Sequence, residues 1–153
     1  MEIHYSSEDL RLGSDDVDCL QAIVCSLNKV YPLEGEVQLI ITDDIFIREL
    51  NAKYRGKDIT TDVLSFPLVG SCPQHINALS ALVGEIYISL PRALNQALLL
   101  SVPFFTEMAR LFIHGYLHLA GWTHDTCKDL VAMEQETDRY LTQMGLLPEK
   151  IRS

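Results

Sequence analysis

Residues 104–124 read FFTEMARLFIHGYLHLAGWTH, and this strongly apolar stretch decides the centre of the fold. From Phe104 to Ala120 the apolar residues are dense enough to be covered on most sides, which predicts a buried helix. Gly121 follows, and a glycine in this place typically ends a helix. The rest of the chain must therefore supply elements that pack around this helix.

Strand and helix patterns alternate along the rest of the chain. Short apolar runs predict four strands, at residues 2–6, 36–41, 62–66 and 83–88. Helical periodicity and capping residues predict four further helices, at residues 15–30 and 44–54, after Ser89, and from Asp125 or Thr126 to about Gly145. Residues 70–79 are rich in turn formers and predict a loop. We therefore expect an α+β fold (α/β-like), with a small mixed sheet of about four strands covered by about five helices.

The composition fits one globular unit. The chain has 153 residues and is 48% hydrophobic, which is enough for a core without disulfides, so we expect residues 1–153 to form a single domain. The net charge of −9 argues against non-specific nucleic-acid binding, although it leaves room for a local basic cleft. The N-terminus does not resemble a signal peptide and no apolar run is long enough to span a membrane, so we expect a cytoplasmic protein.

The four cysteines, Cys19, Cys25, Cys72 and Cys127, form no CxxC pair. Neither a zinc ribbon nor a thioredoxin-type dithiol is therefore indicated. Cys19 and Cys25 fall within a helical apolar pattern, and we predict that both are reduced core residues. Cys127 lies close to a histidine cluster, but the helix that follows should carry it away from there.

That cluster consists of His114, His118 and His124, at the spacing H-x3-H-x5-H. Two histidines four apart share one face of a helix, so both imidazoles can reach one ion. Gly121 allows a turn that can bring the third histidine back to the same point. Three neutral imidazoles leave a fourth position for water, which is typical of a catalytic zinc site. The spacing therefore predicts a metal site, although a single histidine in an apolar helix is more often a core residue.

The same spacing occurs in the zinc-protease motif H-E-x-x-H-x-x-G-x-x-H. Here Gly115 replaces the glutamate that serves as general base in that motif. Because glycine cannot accept a proton, a protease mechanism would need a base from elsewhere. Glu107 and Arg110 continue the polar stripe of the histidines toward the start of the helix. They are either charges at a solvated helix end or orienting charges beside the metal pocket.

A second polar segment, residues 54–67, reads YRGKDITTDVLSFP. Arg55 and Lys57 flank a glycine, and an arginine here could hold a phosphate through two hydrogen bonds. Asp62 and Ser65 are polar positions on a strand that otherwise looks buried, so they need hydrogen-bond partners. Without further information, a loop charge and a structural hydrogen bond explain these residues equally well.

Taken together, these segments resemble the YbeY family of bacterial metal-dependent endoribonucleases. The resemblance covers YRGKD, TDVLSFP, GEIYIS and HGYLHLAGWTH, in that order, within roughly residues 50–145. It implies a single-strand-specific RNA endonuclease that acts in 16S rRNA 3′-end maturation and in ribosome quality control. It also implies one zinc ion per chain, held by His114, His118 and His124. The implied partners are rRNA and the ribosome, with ribosomal proteins or other maturation factors as further candidates. No association with a membrane is implied.

The resemblance further implies that Arg55 takes part in catalysis or RNA binding. We predict Arg55 and His114 as catalytic residues, and Arg55, Lys57 and Arg110 as RNA contacts. The chain departs from the family pattern at Thr123, where an aspartate usually precedes the third histidine, and this change leaves the surroundings of the metal in doubt. Thr60 stands where a proline is common.

Two alternatives to the endoribonuclease remain open at this point. One is a metal-dependent hydrolase of a peptide or a small molecule, against which Gly115 weighs. The other is a non-catalytic, metal-stabilised module that associates with the ribosome. The net charge of −9 favours the second alternative somewhat, because weak RNA affinity would then require a protein partner.

Overall fold

The computed structural model describes residues 1–68 and 82–147. Nine elements follow one another in these residues: β1 (Glu2–Tyr5), α1 (Ser14–Val30), β2 (Glu36–Thr42), α2 (Asp44–Arg55), β3 (Val63–Pro67), β4 (Leu82–Ser89), α3 (Leu90–Leu100), α4 (Phe104–Leu119) and α5 (Cys127–Gln143). The predicted α+β class, with four strands and five helices, is therefore confirmed. The loop predicted at 70–79, together with Cys72, lies outside the described residues.

The four strands form one mixed sheet in the order β1-β2-β4-β3. β2 pairs in parallel with both β1 and β4, whereas β3 pairs antiparallel to β4 at the edge of the sheet. Because side chains alternate along a strand, Gly84, Ile86 and Ile88 of β4 share one face, and all three are buried. α4 packs on this face, so the sheet positions the helix that carries two of the histidines.

α4 lies unusually close to β4 because glycines line the contact. A Cβ atom at Gly115 would lie 2.8 Å from the Ile86 Cγ2 atom, and one at Gly84 would lie 2.7 Å from the Leu119 Cδ1 atom. Both distances are shorter than side chains tolerate without a shift of their neighbours. The helix also buries Met108, Phe112 and Leu117 completely, as the apolar pattern predicts.

Side-chain caps fix the starts of three helices. Asp43 accepts a hydrogen bond from the Phe46 backbone N–H at 2.7 Å and begins α2. Ser89 does the same for α3, and Thr126 accepts from the Asp129 backbone N–H at 3.1 Å to begin α5. Of the two starts that the sequence offers for α5, Asp125 and Thr126, the structure selects Thr126 as the cap. These caps satisfy backbone donors that have no partner within the helix.

The prediction that both cysteines of α1 lie in the core is wrong for Cys25, which is exposed. α1 buries Leu20, Ile23 and Leu27, which recur at helical spacing. Cys25 stands two residues after Ile23, so the helical rotation of about 100° per residue turns its side chain away from that face. Cys19 is partly buried and packs against the core, as we expected.

No single helix in residues 1–68 or 82–147 is long and apolar enough to cross a membrane. α3 and α4 would pass that test only as a pair, and they meet at an angle of 117°.

Candidate metal centre

α4 presents two of the predicted ligands one turn apart. His114 and His118 are both partly buried, and their Nε2 atoms lie 3.1 Å apart. Zinc–nitrogen bonds of about 2.0–2.1 Å in tetrahedral geometry place two ligand nitrogens about 3.3 Å apart. The two imidazoles thus fit a shared ion with little adjustment.

The turn after α4 brings the third histidine to the same point. Gly121 adopts a φ of 102°, which is open to glycine and strained for other residues. His124 then lies with its ring centroid 5.6 Å from that of His114 and 4.6 Å from that of His118. One nitrogen from each of the three side chains lies within 4.8 Å of the other two. The structure therefore brings together the three histidines that the spacing singles out.

A hydrogen bond to the backbone selects the tautomer of His118. Its Nδ1–H group donates to the Trp122 carbonyl oxygen at 2.9 Å. The proton on Nδ1 leaves the Nε2 lone pair free, and this is the atom that faces the other histidines. Such a backbone bond is the usual way in which a metal-binding imidazole is oriented. The donor set and the orientation of His118 therefore suit a zinc ion.

The surroundings also favour the neutral form of His114 and His118. Burial, followed by the charges of His118 and His124, lowers the pKa of His114 to about 4. Burial is also the main reason for a lowered pKa of His118, and the nearby Arg55 guanidinium acts in the same direction. Only the neutral imidazole can bind a metal, so the lowered pKa values favour metal binding by His114 and His118.

The histidines open into a cleft of about 800 Å³. β3 and the segment before it form the wall that faces α4, and Arg55 and Lys57 also line the cleft. Although its side chain is largely exposed, Arg55 is held in place, because its Nη2 group donates to the Ser65 carbonyl oxygen at 2.8 Å. The structure thus places Arg55 and Lys57 in the same cleft as the histidine cluster.

Asp62 brings a fixed carboxylate to the same cleft. Its Oδ1 atom accepts from the Val63 backbone N–H at 2.8 Å, and its Oδ2 atom accepts from the Gln96 amide at 3.2 Å. The negative charge of Asp62 raises the pKa of His114, against the larger effect of burial. Sequence analysis identified Asp62 as a polar group in need of partners but missed Gln96. Gln96 lies on α3, and no local pattern indicates that it reaches β3.

The solvated-end interpretation of Glu107 and Arg110 is wrong for Glu107, whose side chain is only 1% exposed. The Arg110 Nε group donates to Glu107 Oε2 at 2.9 Å, and the two side chains form an ion pair one helical turn before His114. A buried carboxylate needs such a partner, which explains why the pair forms within the helix. Arg110 is not among the described residues that line the cleft, but its charge contributes to the lowered pKa of His114.

This α+β fold thus carries three imidazoles that converge in an open cleft, with an arginine and a carboxylate nearby, and such a group could hold a metal ion. Residues 3–145 match the family model described as Endoribonuclease YbeY. The chain belongs to the YbeY family.

Several relatives carry the name Endoribonuclease YbeY. The protein from Desulforamulus reducens is 44% identical over 118 residues, which is 76% of each chain. The protein from Geobacillus thermodenitrificans is 32% identical over 152 residues and covers 95% of this chain and 97% of its own. The protein from Clostridioides difficile is 36% identical, with 93% and 94% covered.

A solved structure supports the architecture. The solution structure of a Thermotoga maritima protein matches with a TM-score of 0.59 and 23% identity, over 99% of this chain and 100% of the other. At this identity the likeness bears on the fold alone. It agrees with the mixed sheet and the helices described above.

Proposed function

We propose that this protein is a zinc-dependent, single-strand-specific endoribonuclease with one zinc ion per chain. One observation carries the proposal: His114, His118 and His124 converge at the wall of a cleft that Arg55 and Lys57 also line. The relatives named as endoribonucleases supply the substrate class, which is RNA. The geometry supplies a reason why such a cleft can act on a phosphodiester.

His114, His118 and His124 would hold the ion as neutral ligands, and we assign His114 to the catalytic residues on this ground. A zinc ion supplies Lewis acidity, which polarises a phosphoryl oxygen and makes water more acidic. Arg55 would stabilise the extra negative charge that the phosphate acquires in the transition state. The hydrogen bond from Arg55 to the Ser65 carbonyl supports this role, because it limits the motion of the guanidinium.

The structure supports a direct RNA contact more strongly for Lys57 than for Arg110. Lys57 is exposed and lines the cleft, so a phosphate can approach it directly. Arg110 is engaged with the buried carboxylate of Glu107, which favours an orienting role near His114 over a phosphate contact. Its assignment as an RNA contact remains a prediction.

We further propose that the substrate is the 3′ end of 16S rRNA, and that the protein acts in ribosome quality control in the cytoplasm. The net charge of −9 supports the participation of ribosomal proteins or other maturation factors. An acidic protein gains little from long-range attraction to RNA, so a protein partner would help to bring it to its substrate.

Cleavage of labelled single-stranded RNA, with metal content measured in the same samples, tests the catalytic proposal. We expect His118→Ala to lose the zinc ion and the activity together. We expect Arg55→Ala to keep the zinc ion and to lose about 100- to 1,000-fold in kcat, because it removes charge stabilisation in the transition state. Arg11→Ala is the matched control, since Arg11 also lies over an aromatic ring, at 4.8 Å from that of Tyr5, but outside the described lining of the cleft.

Full activity of zinc-loaded Arg55→Ala would contradict the role of Arg55. If the wild-type protein instead hydrolyses a peptide or an ester and leaves RNA intact, and if His118→Ala loses that activity, the protein is another metal-dependent hydrolase. If zinc-loaded wild-type protein binds ribosomes and cleaves none of these substrates, the protein is a non-catalytic module.

A further inference from the structure

Four aromatic side chains form a continuous row beside the cleft, which we call the aromatic row: Phe46, Tyr87, Phe66 and Tyr54. Their ring centroids lie 6.3, 5.7 and 5.5 Å apart in that order. Phe66 and Tyr87 alternate with buried residues of β3 and β4 and therefore point to the sheet face opposite α4. The two outer rings, Phe46 and Tyr54, both belong to α2.

The end of the row at Tyr54 is open to solvent. Tyr54 is 59% exposed, although it contacts Phe66 edge-on. A large apolar ring in such a position leaves much of its surface uncovered. Phe66, in contrast, is held between Tyr54, Tyr87 and the Arg55 guanidinium, so it forms a fixed support for the exposed ring.

Cations accompany this open end of the row. The Lys53 ammonium group lies 5.1 Å from the centre of the Tyr54 ring, and the Arg55 guanidinium lies 5.3 Å from that of Phe66. In a chain with a net charge of −9, two cations beside exposed aromatic surface favour a negatively charged ligand that also has flat apolar faces. An unpaired nucleotide combines these two properties, because its base stacks on aromatic rings while its phosphate pairs with cations.

Arg55 connects the row to the metal centre. The same guanidinium that covers Phe66 also lines the cleft into which the three histidines open. A strand whose phosphate is held by Arg55 can therefore place one base at Tyr54 while the chain continues toward the histidines.

We infer that Tyr54, supported by Phe66, is a stacking site for an unpaired base of the RNA strand that leaves the cleft past Arg55. The inference rests on the proposed function. It adds a binding site for a nucleotide that does not itself flank the cleaved bond. Stacking tolerates every base, because each base has a flat face, so the site selects single-stranded RNA over duplex without reading its sequence.

Titrations of zinc-loaded protein with a labelled, uncleavable 2′-O-methyl single-stranded RNA test this site. We expect Tyr54→Ala to bind roughly 5- to 100-fold more weakly and Tyr54→Phe to bind as wild type does, since the ring alone provides the stacking surface. Leu99→Ala is the matched control, because Leu99 is an apolar side chain on α3 that is 76% exposed, without a ring or a neighbouring cation described for it. In the cleavage assay, Tyr54→Ala should raise KM and leave kcat nearly unchanged.

Removal of single bases from the RNA provides the decisive comparison. In wild type, one abasic position should weaken binding by about the same factor as Tyr54→Ala, and in Tyr54→Ala the same abasic position should cost nothing further. If wild type cleaves RNA and the variant shows unchanged KM and an unchanged abasic profile, the stacking site is refuted while the proposed function stands. The row would then be a surface for another class of ligand, such as a protein. If zinc-loaded wild type neither binds nor cleaves RNA, both proposals fail.

Discussion

Gly115 shows how a single residue can exclude one chemistry in two ways. It stands where the zinc-protease motif has its glutamate, so α4 offers no base at this position. The structure adds that no side chain fits there, because a Cβ atom would lie 2.8 Å from the Ile86 Cγ2 atom. A glutamate at this position would require Ile86 or α4 to shift. The close helix–sheet contact and a protease-type base are thus incompatible in this fold.

Gly115→Ala should destabilise the protein by about 1–3 kcal/mol, because it overpacks the contact with Ile86. Helix propensity alone predicts the opposite, a gain of about 1 kcal/mol for alanine over glycine. Urea unfolding of metal-free protein separates the two expectations. In an Ile86→Ala background the added methyl group has room, so its cost should disappear. If Gly115→Ala instead raises the free energy of unfolding in the wild-type background, Ile86 can shift to accommodate the methyl group at little cost.

At the scale of elements, the junction between α4 and α5 builds the metal centre. α4 is fixed by the core and carries two ligands, whereas His124 stands in the short connection that leads to the cap of α5. The direction in which the chain leaves Gly121 and the cap at Thr126 therefore determine where His124 points. Thr123, which departs from the usual aspartate of the family, lies in this connection and also lines the cleft.

Thr126→Ala should cost about 0.5–2 kcal/mol in unfolding free energy, because it removes the oxygen that accepts from the Asp129 backbone N–H. Zinc affinity, measured by competition with a chelator, should fall as well, since a frayed start of α5 loosens His124. Thr126→Ser keeps the capping oxygen and should resemble wild type in both measurements. Equal zinc affinity in Thr126→Ala and Thr126→Ser would mean that the cap does not position this histidine.

At the scale of the whole molecule, charge is distributed unevenly. The protein carries a net charge of −9, yet the last turn of α2 and the loop after it carry Lys53, Arg55 and Lys57, and the last two of these line the cleft. Repulsion by the remaining surface opposes non-specific binding of nucleic acid, so only a strand that enters the cleft gains from these cations. Discrimination thus comes from the placement of a few charges rather than from their number.

The salt dependence of RNA binding should reflect this small number of cations. With three phosphate contacts, and about −0.7 per contact for single strands, the slope of log K against log salt should be roughly −2. Lys57→Ala should reduce the magnitude of the slope by about 0.7, whereas Lys29→Ala, in the last turn of α1 and outside the described lining of the cleft, should leave it unchanged. Fluorescence anisotropy at several salt concentrations measures these values. A much steeper slope would point to a wider contact surface than the cleft.

Local signals predicted much of this molecule. Apolar periodicity and capping residues indicated all nine elements, and the spacing of three histidines around Gly121 indicated the cluster. These features depend on residues that are close in the sequence, where backbone geometry limits what can form. Cys25 was misplaced because an apolar pattern does not by itself identify which helix face is buried.

Contacts between distant segments were not predictable in this way. The bond from Gln96 to Asp62 joins α3 to the start of β3, and the aromatic row joins α2 to two strands. Both depend on the order of strands in the sheet, which the sequence left open. Similarly, nothing local to Glu107 shows that the core encloses its carboxylate.

The three candidate ligands differ in how firmly the fold holds them, and this difference has a kinetic consequence for a bound ion. His114 and His118 belong to a helix anchored in the core, while His124 is exposed and lies in the short connection after Gly121. An opening of this connection alone would free one coordination position and leave a two-point hold on the ion. Exchange with a chelator or a carrier can then proceed by stepwise handover without global unfolding, on the faster timescale of a loop. A zinc ion held by these histidines, as we propose, would therefore exchange faster than the protein unfolds.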